Sequence, residues 1–86
     1  MTTNYMLNIA IDSLCDKVML FLESEQKLAL KLIRQTTNKK DIESVILDQI
    51  QLIESISLPN EFLSNEKVTQ LEQKKSEFIG ELISSL

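Results

Sequence analysis

The chain has 86 residues, of which 43% are hydrophobic and 26% are charged, and its formal net charge is -4. A composition this apolar excludes a disordered chain, and the acidic balance removes the main driving force for binding DNA or RNA. One glycine and one proline are too few for strands that are joined by tight turns. The composition therefore predicts a single all-α domain over residues 1–86, with no nucleic-acid partner.

The longest predicted element is a helix over residues 3–35, in which polar and apolar residues recur on opposite faces with three- and four-residue steps. The polar stripe consists of Asn8, Asp12, Asp16, Glu23, Lys27, Lys31 and Arg34. The apolar stripe consists of Leu7, Ile11, Leu14, Val18, Phe21, Leu22, Leu28, Leu32 and Ile33. Ser24 could cap a new helix and so break this one into two. The polar stripe keeps its phase there, which favours one continuous helix.

Two shorter helices are predicted after it, over residues 40–57 and 65–85. Asn38 suits the N-cap of the first of them, and Pro59 prevents that helix from continuing. Ser64, or the asparagine after it, can cap the next one. The pattern predicts an antiparallel bundle of three helices, or of four if the long helix breaks near Ser24.

The third helix has an apolar seam with the alternating three- and four-residue steps of a coiled coil. The seam runs through Val68, Leu71, Lys75, Phe78 and Leu82. Lys75 occupies a position where an apolar residue is expected. Gly80 indicates either close helix packing or tolerance near a fraying end.

The three predicted helices differ in length, which suggests assembly with another chain. A helix of about 33 residues spans ~50 Å, whereas helices of about 18 to 21 residues span only ~27 to 32 Å. The segment Val18–Leu22 also points apolar side chains in every direction. Either another chain covers the remainder of the long helix, or that helix bends.

Groups that carry out chemistry are scarce. The chain has no histidine, which removes the commonest general base and the commonest metal ligand. The carboxylate pairs, such as Asp12 with Asp16, are interpreted as a solvated acidic face. Cys15 is interpreted as a buried packing residue, because it adjoins the apolar stripe and Asp16 would raise its pKa. We therefore expect no catalytic residues, no metal and no cofactor, and we predict that the protein is not an enzyme.

Helix-in-groove recognition uses apolar anchors with helical spacing, and the first and third helices provide them. The candidate protein-binding residues are Val18, Phe21, Leu22, Leu71, Phe78, Ile79, Leu82 and Ile83. The alternative for each of them is that it belongs to the core.

The chain resembles small helical export chaperones of the flagellar FlgN and FliT type and the short co-chaperones of type III secretion. The first helix carries the resemblance through Leu14, Phe21-Leu22-Glu23, Glu25 and Leu28, and the third carries it through Leu71-Glu72-Gln73-Lys74-Lys75-Ser76-Glu77-Phe78-Ile79. The resemblance implies a cytoplasmic chaperone that keeps a secretion substrate soluble by means of amphipathic helices.

The function expected from the sequence is that of a small cytoplasmic chaperone or adaptor that binds another protein, itself, or both, with a homo-oligomer expected. The alternative is a small helical regulator, or an inhibitor of the bacteriocin-immunity type, that binds one target. The first residues, Met1 to Asn4, carry no basic side chain ahead of an apolar run, and charges interrupt every candidate membrane span. We therefore expect neither a secretion signal nor a membrane span.

Overall fold

The computed structural model describes the backbone of residues 2–86 and the side chains of residues 5–86. Three α-helices follow one another: α1 spans Thr2–Gln35, α2 spans Lys39–Ser55 and α3 spans Asn65–Ser84. A single 3₁₀ turn, Asn60–Phe62, lies between α2 and α3. The all-α three-helix fold predicted from the sequence is confirmed. Met1 and the side chains of residues 2–4, to which the expectation about a secretion signal refers, lie outside the described part.

α1 is one continuous helix through Ser24, so the alternative with four helices does not occur. Ser24 is exposed in the middle of the helix and caps nothing. At 1.5 Å per residue, the 34 residues of α1 span about 51 Å, and the molecule measures 55 × 16 × 16 Å. α1 therefore runs the full length of the bundle.

α1 and α3 run parallel to each other, and α2 runs antiparallel to both. The side chain of Asp12 accepts a hydrogen bond from the backbone of Ser64, and the Gln26 amide donates to the carbonyl of Phe78 farther along. Both contacts join residues that are 52 positions apart, which is the signature of a parallel pair. The short connection of residues 36–38 reverses the chain between α1 and α2. The bundle is thus up-down-up.

Local sequence signals position the helix ends. The Asn38 side chain accepts a hydrogen bond from the backbone of Lys40, and the Ser64 side chain accepts one from the backbone of Lys67, so both predicted N-caps are confirmed. α2 ends at Ser55, two residues earlier than predicted. The next residue, Ile56, turns into extended backbone and packs against the core.

The core lies along one line of α1 that faces both other helices. Its buried apolar residues are Cys15, Leu22, Ala29, Ile46, Ile53, Leu63, Leu71 and Leu82. The α1 members of this set, Cys15, Leu22 and Ala29, recur every seven residues, which keeps them on one face. Lys75 fits the seam of α3 because its ammonium reaches out to donate to the carbonyl of Ile56 at 3.0 Å.

The interpretation of the two stripes on α1 was partly wrong. Most of the polar stripe is exposed as expected, but α3 packs along one edge of it, where Lys67 pairs with Asp16 at 2.5 Å and Lys74 pairs with Glu23. Much of the expected apolar stripe is instead left in solvent, since the core line is rotated away from it. Its exposed members are Leu7, Leu14, Phe21, Leu28 and Leu32.

Gly80 has no atom other than its own helix within 4 Å of the position that a Cβ would occupy. Close helix packing therefore does not explain this glycine. It is tolerated in an exposed turn of α3. Within the described residues, no helix is long and apolar enough to cross a membrane.

Candidate protein-binding groove

An open groove of about 440 Å³ runs between α1 and α2, and we call it the α1–α2 groove. α1 lines it with Glu25, Leu28, Ala29 and Leu32, and α2 lines it with Val45, Asp48, Gln49 and Leu52. Apolar side chains make up most of the α1 wall and half of the α2 wall. A groove of this kind accommodates the apolar face of a further helix.

The α1 wall of the groove belongs to a longer row of exposed apolar side chains, which we call the α1 stripe. It consists of Leu14, Phe21, Leu28 and Leu32, whose exposed fractions are 43%, 48%, 56% and 51%. The first three recur every seven residues and Leu32 lies one turn beyond Leu28, so all four share one face of the helix. Single exposed apolar residues are ordinary on a protein surface, whereas several large ones on one face of a helix mark a candidate interaction site.

The charges that line the α1–α2 groove are all negative. Glu25 is half-buried in the α1 wall, Asp48 is exposed in the α2 wall, and the lining includes no lysine or arginine. Both ion pairs found among the described residues lie elsewhere, in the α1–α3 contact. The two groove carboxylates therefore have no cationic partner within the part of the chain that the structure describes.

The opposite flank of α1 has a different electrostatic character. The hydrogen bond from Lys74 and its positive charge lower the pKa of Glu23, and the hydrogen bond to Asp16 raises the pKa of Lys67. A shallow cavity of about 230 Å³ lies beside the first of these ion pairs. The ammonium of Lys74 also lies 5.8 Å from the ring centroid of Phe78, which is within cation-π range. Two ion pairs and the ring of Phe78 therefore lie on this flank of α1.

A layer of polar side chains crosses the core beneath both flanks. Gln26 is only 2% exposed and Gln49 is 7% exposed. The Gln26 amide donates to the Phe78 carbonyl at 3.1 Å and to the Glu81 carboxylate at 2.8 Å, and its oxygen accepts from the Gln49 amide at 3.2 Å. One side chain thereby joins all three helices at a single level. Sequence reasoning missed this layer because glutamine is usually a surface residue.

The structure separates the eight predicted binding residues into three groups. Leu22, Leu71 and Leu82 are buried, so they belong to the core and are not available to a partner. Val18, Phe78 and Ile79 are half-buried and pack against that core. Phe21 and Ile83 are exposed. Their positions differ, however, because Phe21 lies on the α1 stripe and Ile83 lies on α3.

Three residues of the α1 stripe, Leu14, Leu28 and Leu32, were placed in the apolar stripe from the sequence but not among the candidate binding residues. The sequence does contain one signal for their exposure. The apolar and small residues of α1 include a second line with seven-residue spacing, Cys15, Leu22 and Ala29, which lies about 100° from the α1 stripe. Because the two shorter helices pack along this second line, the α1 stripe stays exposed.

Cys15 is fully buried, as predicted. Its sulfur lies 4.0 Å from the carbonyl oxygen of Lys67. Burial, followed by the charge of Asp16, raises the pKa of the Cys15 thiol. A neutral, enclosed thiol is a packing group and a poor nucleophile.

A scan against models of known protein families finds no match for this chain. Searches of curated proteins and of solved structures find none either.

Proposed function

We propose that this protein is a non-enzymatic binding module that holds a helix of another protein in the α1–α2 groove. The observation that carries the proposal is the α1 stripe, a row of four large apolar side chains that the described chain leaves about half exposed, between 43% and 56%. A helix laid along it would complete a four-helix arrangement, with anchors spaced as in other helix-in-groove complexes.

The exposed area sets the strength expected of this interaction. Complete burial of a leucine or phenylalanine is worth about 1.5–3 kcal/mol, so the remaining half of each stripe residue is worth about 1 kcal/mol. Four such residues supply a few kcal/mol before the entropy of association is subtracted. We therefore expect moderate affinity and rapid release, which suits a chaperone or adaptor that passes its partner on.

A cytoplasmic chaperone or adaptor is our preferred form of this function, in agreement with the resemblance to FlgN- and FliT-type export chaperones. The alternative is a regulator or immunity-type inhibitor, which holds one target tightly. The two differ in lifetime, since an inhibitor complex dissociates slowly whereas a chaperone complex exchanges. Measuring the dissociation rate of the captured partner distinguishes them.

The test of binding compares two aspartate substitutions on α1. Leu28→Asp places a charge in the α1–α2 groove, whereas Leu20→Asp changes a residue that is 63% exposed and does not line the groove. Both proteins should fold, because both leucines are exposed. We expect tagged Leu20→Asp to capture the same partner from its own cells as the unsubstituted protein, and Leu28→Asp to lose it. Equal capture by the two variants would contradict the proposal.

Self-association is a second candidate, and a different segment favours it. Tyr5, Met6 and Ile9 are 67%, 66% and 53% exposed, and residues 5–11 contain no charge. α3 begins opposite Asp12, so α3 does not cover these first turns of α1. Two copies could pair there without bringing like charges together. Ile9→Asp should then convert a dimer into a monomer in sedimentation equilibrium, and a dimer that persists would contradict this site.

A further inference from the structure

We infer that the α1–α2 groove selects an amphipathic helix that carries lysine or arginine along one edge of its apolar face. This inference rests on the proposed function and names the chemistry of its partner. Charge complementarity carries it, because both charged residues in the groove lining are acidic.

The position of each carboxylate determines which edge of the partner is basic. Glu25 lies beside the apolar residues of the α1 wall, and Asp48 lies on the α2 wall. Half-burial of Glu25 makes an unpaired charge there unfavourable once a partner excludes water. A cation on the docked helix relieves this desolvation by pairing with it. The basic edge of the partner therefore lies toward α2.

Two of the cations of α1 lie on the other edge of the groove. Lys17 and Lys31 each follow a stripe residue by three positions, which places them on the side of α1 away from α2. These two lysines favour neutral or acidic side chains on the edge of the partner that faces them. The carboxylates on the α2 side favour basic side chains on its other edge. The groove thus discriminates orientation as well as composition, because a partner helix with its edges reversed would meet like charges.

A second copy of this chain does not fit the same site. Its groove face carries the same carboxylates, Glu25 and Asp48, so two grooves laid against each other concentrate four negative charges. The net charge of -4 on each copy adds further repulsion. A partner of different composition is the better occupant of this surface.

The experiment uses fluorescence anisotropy with two labelled synthetic helices of about 17 residues, which match the ~25 Å length of α2. Both peptides carry leucine anchors at positions 1, 4, 8 and 11, and one edge of the apolar face carries lysine in the first peptide and glutamate in the second. We expect the lysine peptide to bind the unsubstituted protein at least about fivefold more tightly than the glutamate peptide, from two partly screened ion pairs. Leu28→Asp should abolish binding of the lysine peptide.

Charge variants test the origin of this preference. Glu25→Gln combined with Asp48→Asn should bring the two affinities within about twofold of each other. The control, Glu72→Gln combined with Glu77→Gln, removes the same net charge from exposed positions of α3 outside the groove. It should leave the preference for the lysine peptide almost unchanged.

Each other outcome overturns the inference in a recognisable way. If both peptides bind equally and Leu28→Asp abolishes both, the groove binds helices without selecting charge, and the proposed function survives. If neither peptide binds, the inference fails, and partner capture by the Leu20→Asp and Leu28→Asp variants still tests the proposed function independently. If the protein forms a dimer that Leu28→Asp dissociates, the occupant is a second copy.

Discussion

Replacing Gln26 with leucine should destabilise the bundle, although it puts an apolar residue into an apolar core. Gln26 is 2% exposed and makes three hydrogen bonds, two to α3 and one to Gln49. In the variant, the Gln49 amide stays buried and loses its acceptor, which costs about 1–3 kcal/mol. Glu81 is exposed, so its carboxylate can accept hydrogen bonds from water instead. The Phe78 carbonyl loses only the hydrogen bond from the Gln26 side chain.

The added apolar surface offsets part of this loss, so we expect a net decrease of about 1–2 kcal/mol in the free energy of unfolding. The double variant Gln26→Leu/Gln49→Leu removes both buried partners and should recover most of the stability. The interaction energy in the double-mutant cycle should therefore be about 1 kcal/mol or more.

Urea unfolding followed by far-ultraviolet circular dichroism measures these values. Gln51→Leu, at an exposed position of α2, serves as the control and should change the free energy of unfolding by less than about 0.5 kcal/mol. If Gln26→Leu is as stable as the unsubstituted protein, or if the two glutamine substitutions are additive, the polar layer does not join the helices as described.

Three further predictions concern single positions. Gly80→Ala should raise the free energy of unfolding by about 0.5–1 kcal/mol in urea melts, because Gly80 is helical with open space beside it; a decrease would contradict the open turn. Cys15 should react with a thiol reagent only as fast as the bundle opens. Burial raises the pKa of its thiol in the folded state above the pKa in the unfolded state. The thiol therefore contributes stability below the unfolded-state pKa, and this contribution is lost as the pH rises through the folded-state pKa. Unfolding measured against pH should therefore show an alkaline decline that Cys15→Ala reduces, and an identical decline would refute it. Lys74→Gln should raise the pKa of Glu23 in a carboxyl NMR titration, since Lys74 lowers it; no change would mean that the pair does not form in solution.

The boundaries of the helices were predictable because local chemistry determines them. Asn38 and Ser64 cap helices wherever their side chains reach a free backbone amide, and Pro59 interrupts a helix in any context. These signals need no knowledge of the partner elements. The largest error is at the end of α2, which ends two residues early because Ile56 leaves the helix to pack against the core; the other ends differ by one residue at most.

The rotation of α1 about its own axis could not be predicted, and the candidate site depends on it. Helical periodicity identifies polar and apolar faces, but ion pairs allow a neighbouring helix to cover a polar face. Asp16 and Glu23 were predicted to be solvated, and both keep part of their exposure while they pair with Lys67 and Lys74 of α3. The partners lie 51 residues away in the sequence, and no local pattern connects them.

The same limit applies to the predicted binding residues. The apolar face of α1 is wider than two short helices can cover, so some of it had to remain exposed. Which part remained depends on how α2 and α3 pack, and not on α1 alone. Phe21 is exposed and was among the predicted binding residues, whereas the exposed Leu28 was not among them and the buried Leu22 was.

The most direct test of this account measures how far a soluble paramagnetic probe broadens the leucine methyl resonances of the free protein. We expect strong broadening for Leu14, Leu28 and Leu32 of the α1 stripe, comparable with that of the exposed control Leu20, and little for the buried Leu22. That result would show that the α1 stripe is open to a partner in solution. Protection of Leu28 and Leu32 to the level of Leu22 would contradict the account, because the α1–α2 groove would already be closed.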